Sequence, residues 1–243
     1  MVVLTPAPSP DRPSHYFDAQ PAGSSDRSTV QLVLPDGRLS MTTDRGVFAR
    51  DRVDTGTKLL LLDGPGPTPG DRVLVDLGAG YGPIALTLAR RNPEARVLAV
   101  EVNARARALC ELNAQAAGLT NVEVLEPEAV PPDLVVDRIW SNPPIRIGKV
   151  ALHRLLTDWL RRLADDGSAH LVVQRHLGAD SLHRWLTTQG YLVERRASKK
   201  AFRLLDVSRD PAATTEAAGA ASTAERGNPP TADTVDTPTE GDK

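Results

Sequence analysis

Apolar and polar positions alternate along Thr29–Leu34 and again along Arg38–Thr42, with Pro35-Asp36-Gly37 between them. That pattern predicts a β-hairpin closed by a turn. Asp54 can cap a short helix over Lys58–Leu62. A Gly/Pro stretch, Gly64–Gly70, then breaks the pattern as a linker. Beyond it, short unbroken apolar runs predict buried strands at Arg72–Leu77, Arg96–Val100, Val122–Leu125 and Val135–Trp140. Between them, Pro83–Arg91 and Ala104–Ala117 read as helices, the second ended by Gly118. Lys149–Leu163 carries Leu152, Leu155, Leu156, Trp159, Leu160 and Leu163 on one stripe, which predicts an amphipathic helix. Ala169–Val173 reads as a strand, Asp180–Thr188 as a helix, and Tyr191–Arg195 and Ala201–Val207 as closing strands.

Strands alternating with helices of this length predict βαβ units, hence an α/β fold with a doubly wound, mostly parallel sheet. The last two strands are joined only by Ala197–Lys200, too short for a parallel crossover, so this pair is expected to be an antiparallel C-terminal hairpin. The domain reading is a hairpin and short helix over 15–63, packed on a main domain over 70–208. Residues 1–14 contain four prolines and few large apolar side chains, and residues 209–243 hold Val235 as the one large apolar residue after Asp210. Neither end can bury enough surface to offset ordering entropy, so both are expected to be disordered.

Charge changes the picture once it is divided along the chain. The total of 29 Lys/Arg against 31 Asp/Glu gives −2, which by itself argues mildly against a nucleic-acid partner. Residues 210–243 hold seven acids and two bases, a net −5, so the remainder carries +3. Within it, residues 138–203 hold 13 bases and five acids, a net +8. A solvated surface is the plainer reading of that surplus. The other reading is a phosphate-binding face masked by the acidic tail. On that reading, removing residues 210–243 should strengthen nucleic-acid binding or leave it unchanged, measured as affinity at fixed salt; a clear loss would show that the tail takes part in recognition. One cysteine excludes a disulfide framework and a Cys-based zinc site. His153, His170, His176 and His183 lack metal-ligand spacing and read as surface or packing residues, so no metal is expected. There is no apolar run of membrane-spanning length and no signal-peptide pattern at the start, which makes the cytoplasm the default compartment.

Four short segments carry chemistry. In Val73–Pro83, a strand runs into Asp76-Leu-Gly-Ala-Gly-Tyr-Gly82 and then a helix. Gly78, Gly80 and Gly82 let backbone approach a ligand where a Cβ would clash. The spacing is G-x-G-x-G rather than the dinucleotide pattern, and Asp76 would repel a pyrophosphate but attract an ammonium. The ligand suggested is a nucleoside carrying a cation, such as S-adenosylmethionine. Glu101 ends the second strand of the sheet, where an acid accepts hydrogen bonds from ribose hydroxyls. Glu128 and Ala129, just past the third strand, can meet an adenine amino group and a ring nitrogen, with Glu126 competing for the role. Ser141-Asn142-Pro143-Pro144-Ile145 ends the fourth strand. Its two prolines fix φ and remove two N–H donors, leaving a rigid loop of acceptors that can hold a planar –NH2 by both hydrogens. Such a grip turns the nitrogen lone pair toward an electrophile, and positioning supplies most of the rate.

The glycine turn, Glu101 and Asn-Pro-Pro together resemble class I S-adenosylmethionine-dependent methyltransferases acting on amino nitrogens. Gly46-Val-Phe, Asp54-Thr-Gly-Thr57 and Ser-Asn-Pro-Pro-Ile-Arg-Ile-Gly-Lys149 narrow the resemblance to the small methyltransferase domain of the small-subunit ribosomal RNA guanine-N2 methyltransferases. It covers about residues 15–207. The resemblance implies a seven-stranded sheet, S-adenosylmethionine as donor, and a guanine N2 acceptor in ribosomal RNA or the small ribosomal subunit. By it, Asn142 and Pro143 hold the amine, Glu101 the ribose, and Gly78 and Gly80 the methionine end, while Phe48, Asp54, Thr57 and Asn142 line the cofactor pocket. Pro144, Ile145, Arg146 and Lys149 then belong to the substrate side, the two cations meeting phosphates beside a flipped-out base. Two departures stand out. Ile145 replaces the aromatic that many relatives carry after Asn-Pro-Pro, leaving Phe48 and Phe17 as the nearest aromatics in sequence. The best-known members have two tandem halves, and this chain has room for one. Competing readings are a protein glutamine N5-methyltransferase, a small-molecule amine methyltransferase and a non-catalytic RNA- or ribosome-binding module.

Overall fold

The computed structural model describes residues 24–210. Residues 1–14, Phe17 and the acidic tail beyond Asp210 lie outside the described residues. Strands β1 (Ser28–Leu34) and β2 (Gly37–Thr43) pair antiparallel, and their alternation buries Val30, Leu32, Leu34, Leu39 and Met41 on one side. Helix α1 (Thr55–Asp63) starts at Asp54, whose side chain accepts from the Gly56 and Thr57 amides. After the linker come β3 (Val73–Leu77), α2 (Pro83–Arg91), β4 (Arg96–Val100), α3 (Ala104–Ala116), β5 (Val122–Leu125), β6 (Val136–Ser141), α4 (Lys149–Leu160), β7 (Leu163–Gln174), α5 (Ala179–Thr188), β8 (Tyr191–Lys199) and β9 (Phe202–Arg209).

The seven later strands form one sheet in the order β5-β4-β3-β6-β7-β9-β8. It is parallel through β7, after which β9 and β8 add antiparallel, as the short connection predicts. Side chains on its two faces fill separate apolar clusters. One packs under α1, α2, α3 and the β1–β2 hairpin; the other packs under α4 and α5 through Leu152, Leu156, Trp159, Leu182 and Leu186. Burial on both faces explains why these strands read as continuous apolar runs. Trp140, 1% exposed, sits below the end of β6, with its indole N–H donating to the Pro65 carbonyl and its ring against His170. His170 also bonds Ser168 and Asp206, so it is a satisfied packing residue.

The boundary at Leu163 differs from the expectation. The helix predicted to reach Leu163 ends at Leu160, and Leu163 already pairs with Val136 in the sheet. Both conformations bury Leu163, so the apolar stripe continued across the junction. Residues 164–167 then bulge, since Ser168 is the next partner, opposite Arg138. Gly167 makes the bulge possible: a Cβ there would lie 2.9 Å from the Ala164 backbone.

Beyond its apolar face, the hairpin is held by a buried side chain that pairs with its backbone. Asn113 of α3 accepts from the Thr42 amide at 2.7 Å and donates to the Thr42 and Tyr81 carbonyls at 2.9 Å each. It acts as a surrogate strand partner for the exposed backbone of β2, which brings residues 46–49 over the carboxyl ends of β3 and β4. The chain leaves β3 toward β4 and β5 on one side, and β6 continues toward β7 on the other. Ligands of open α/β sheets bind at such a reversal of strand order.

Candidate active site

The glycine turn is latched onto the neighbouring strand. The Gly78 and Ala79 amides both donate to the Val100 carbonyl, and the Gly80 amide donates to Glu101 Oε2 at 2.8 Å. Gly78 (φ 79°) and Gly80 (φ 58°) adopt left-handed backbone that favours glycine. A Cβ on Gly80 would meet nothing within 4 Å, so the room above the turn is open. Gly82 corrects the expectation that all three glycines admit a ligand. Its Cβ would strike Leu86 Cδ1 at 2.5 Å and Cys110 Sγ at 2.7 Å, so this glycine serves the packing of α2 on α3.

Asp76 also differs from its expected place. It is fully buried behind the turn and is absent from the cavity wall, so the structure shows no surface from which it could meet an ammonium directly. Its Oδ2 accepts from the Ala85 amide at 2.8 Å, while Oδ1 has no partner among the described residues. The reason lies in the helix start: Gly82 has no side chain with which to cap α2, so an acid from β3 takes one of the orphan amides. Burial, reinforced by the nearby Glu101 charge, pushes the Asp76 carboxyl up to about 8. A raised carboxyl contributes stability that is complete below the ordinary carboxylate range and is lost as the pH rises toward 8. Asp76→Asn keeps the acceptor without the charge. Its melting temperature, measured by calorimetry without cofactor, is therefore expected to gain on the wild type between pH 5 and pH 8. A difference independent of pH would show that Asp76 is not buried as described.

Glu101 lies on the cavity wall and is 9% exposed. Its two oxygens accept from the Gly80 and Asn103 amides, which fixes the plane of the carboxylate and leaves each oxygen a further lone pair. Burial raises its protonation range, and the amide bonds oppose that. Asn103 continues the support by capping α3 at Ala106 and donating to the Gly46 carbonyl under the hairpin segment.

Across the switch point stands Asn142. Its Nδ2 donates to Asp54 Oδ2 at 2.9 Å and to Thr57 Oγ1 at 3.1 Å. A carboxylate can only accept, so this pairing decides which end of the amide points where. The Asn142 nitrogen is committed to α1, and its Oδ1 is left for another group. The Pro143 carbonyl accepts from the Ile145 amide at 2.8 Å around Pro144 (φ −74°, ψ 71°), an inverse γ-turn that fixes the direction of that carbonyl. Ser141 anchors the loop from below by donating to the Leu77 carbonyl at 2.6 Å.

These groups surround one cavity of about 370 Å³. Of the residues singled out in the sequence, Phe48, Asp54, Thr57, Gly78, Gly80, Glu101, Asn142, Pro143, Pro144, Ile145 and Arg146 line it. Gly82, Glu128, Ala129 and Lys149 do not; Pro127 lines it beside Glu128, and Lys149 is exposed at the start of α4. Tyr81, Val102, Leu155, Gln174, Leu177 and Phe202 also line it and were not picked out from the sequence. Tyr81 stands inside the glycine turn and Val102 beside Glu101, whereas three of the others stand on β7, on β9 or in the turn after β7, far along the chain from that turn.

A seven-stranded sheet in this order, with a glycine turn after β3, an acid after β4 and Asn-Pro-Pro after β6, has the class I methyltransferase fold. The methyltransferase small domain family model matches residues 38–206. The chain is 33% identical over 170 residues to the uncharacterized protein YbxB of Bacillus subtilis, covering 69% of this chain and 84% of that one. The chain belongs to the methyltransferase small domain family. It is also 35% identical over 154 residues to the ribosomal RNA small subunit methyltransferase C of Shewanella baltica, covering 62% of this chain and 44% of that protein. Its fold is similar to that of the T. thermophilus 16S rRNA N2 G1207 methyltransferase solved with AdoMet and guanosine (TM-score 0.66, 24% identity, 78% of this chain and 52% of that one). The chain therefore spans about half the length of the ribosomal RNA methyltransferases it matches.

S-adenosylmethionine is the cofactor of this class, and the residues present fit it. Glu101 offers fixed acceptors for ribose hydroxyls, the Gly78–Gly80 turn leaves open room for the methionine end, and Val102, Ala106 and Pro127 give an apolar wall for an adenine. Among the described residues there is no group of three or more possible metal ligands, and no helix is long and apolar enough to cross a membrane.

Proposed function

We propose that the protein methylates the exocyclic N2 amine of a guanine in small-subunit ribosomal RNA. The observation that carries this reading is the committed orientation of Asn142, with its nitrogen tied to Asp54 and Thr57 and its oxygen left for an amine. Asn142 Oδ1 and the Pro143 carbonyl accept the two amine hydrogens. That draws the nitrogen out of conjugation and aims its lone pair across the switch point, between the acceptor side and the glycine turn. S-adenosylmethionine supplies an electrophilic methyl group on a sulfonium, which departs as a neutral thioether. As the new N–C bond forms, an amine proton becomes acidic and passes through these acceptors to water, so no strong base is required.

RNA as the carrier of the amine is supported by the charge beside the cavity. Arg146 lies on the wall, and Lys149, Arg175 and Lys200 are exposed close to wall residues along the chain. Arg195 and Lys199 of the C-terminal hairpin are instead paired with Asp180 and Asp63, which leaves them less charge to offer a phosphate. The relatives named for ribosomal RNA methylation agree with this choice. Incubation with labelled S-adenosylmethionine and undermodified small-subunit RNA or subunits tests it. Label in N2-methylguanine is the expected outcome, and label confined to protein glutamine or a small amine would overturn it.

A further inference from the structure

Since Ile145 follows Asn-Pro-Pro, the base that offers the amine needs another flat partner. The cavity divides at Asn142. Gly78, Gly80, Glu101 and Pro127 follow β3, β4 and β5 and account for the cofactor. The other half, over β6, β7 and β9, has no such assignment. There Gln174 and Phe202 face each other as direct partners across the antiparallel β7–β9 pair, and both line the cavity. Because β9 runs backward, its first residue stands at the same sheet edge as the carboxyl end of β7.

Two details single out this pair. The Phe202 ring lies over Gly56, where a Cβ would be 2.8 Å from ring Cε1. Gly56 sits between Asp54 and Thr57, the two residues that hold Asn142, so the half-buried ring borders the amine-binding amide. Gln174 is half-buried, and its side-chain amide has no hydrogen-bond partner among the described residues. An apolar strand ending in an unpaired amide on a cavity wall is a polar group placed where a ligand can satisfy it.

We propose that Phe202 and Gln174 form the acceptor-base site, Phe202 stacking on the guanine ring and Gln174 gripping its N1–H and O6 edge. This assignment rests on the guanine-N2 reading above. Gln174 Oε1 accepts from N1–H and Nε2 donates to O6. On guanine the N2 amine adjoins N1–H along one edge. Asn142 directly follows β6, whose last residue Ser141 pairs with Leu171, and Gln174 lies three residues beyond Leu171 on the adjacent β7, so the two amides stand one strand apart (~4.8 Å) with Gln174 further toward the carboxyl edge. An adenine held by its own amine would leave Gln174 only N1, one hydrogen bond instead of two. The pair therefore sets preference for guanine as well as position.

The test is methylation of undermodified small-subunit RNA by wild type, Phe202→Leu, Phe202→Tyr and Gln174→Leu, with S-adenosylmethionine affinity measured by calorimetry on the same samples. Phe202→Leu and Gln174→Leu are each expected to lower kcat/KM for RNA roughly 10-fold or more, chiefly through KM. Phe202→Tyr should keep most of the activity, and all four proteins should bind the cofactor within about twofold of one another. Should Phe202→Leu fail to fold, Gln174→Leu decides, because the Gln174 side chain supports no other residue. Wild-type RNA kinetics in the folded leucine variants, equal losses for leucine and tyrosine at 202, or a loss of cofactor affinity would each overturn the assignment. A wild-type protein that labels no guanine overturns the guanine reading itself, and this one with it.

Discussion

Asn142→Ala is expected to lower the single-turnover rate of methyl transfer about a hundredfold or more, while S-adenosylmethionine affinity stays within about twofold of wild type. The size follows from what the side chain does. An exocyclic amine on an aromatic ring is a poor nucleophile because its lone pair is shared with the ring. Holding both hydrogens makes the lone pair available and fixes its direction, and alanine removes one of the two acceptors. Cofactor affinity is expected to survive because the fixed acceptor of Glu101 and the latched Gly78–Gly80 turn lie on the other side of the switch point and make no bond to Asn142. Stability should fall little, since Asn142 is only half-buried and the two groups it leaves can meet water. Rapid-quench transfer and calorimetry on one preparation check both halves. Activity above a tenth of wild type would remove Asn142 from the amine site, and a parallel loss of cofactor affinity would place it on the cofactor instead.

The parts of this site legible in the sequence are those compressed into short runs at strand ends. The glycine turn, Glu101 and Asn142-Pro-Pro each announce themselves within a few residues, because the chemistry of a parallel sheet collects at the carboxyl ends of its strands. Contacts made between distant segments have no such signal. Asp54 is readable as a helix cap, yet its bond to Asn142 joins positions 88 apart. Phe202 reads as an ordinary strand aromatic until β9 is seen to return antiparallel beside β7. Asp76 and Gly82 were misplaced for a related reason. Both sit in a motif whose other two glycines line the cavity, but β3 is buried on both faces, and α2 packs so closely on α3 that Cys110 fills the space a side chain at 82 would need. Spacing within the turn does not separate a residue facing the cavity from one facing the core.

Asp54 is expected to act through Asn142, and its substitution separates that role from the cofactor role implied by family resemblance. Asp54 Oδ2 receives three donors: the Gly56 and Thr57 amides and the Asn142 side chain. Asp54→Ala therefore removes a helix cap, worth about 1 kcal/mol of stability, and releases the Asn142 amide to rotate. With the amide free, its nitrogen faces the amine part of the time and repels the hydrogens it should accept. The transfer rate is expected to fall roughly 10- to 100-fold, the range expected when a reacting group is held loosely. Asp54→Ser keeps a capping oxygen but is too short to reach Asn142, so it should recover stability without recovering rate. Thr57→Val removes the second acceptor with little change of shape and should cost only a few-fold. The decisive measurement is the double variant. If Asp54 acts only by orienting Asn142, then Asp54→Ala imposed on Asn142→Ala costs nothing further in transfer rate, because residues that act as a unit are not additive. An equal additional loss in the double variant, or a large loss of S-adenosylmethionine affinity in Asp54→Ala alone, would show that the carboxylate contacts the cofactor directly.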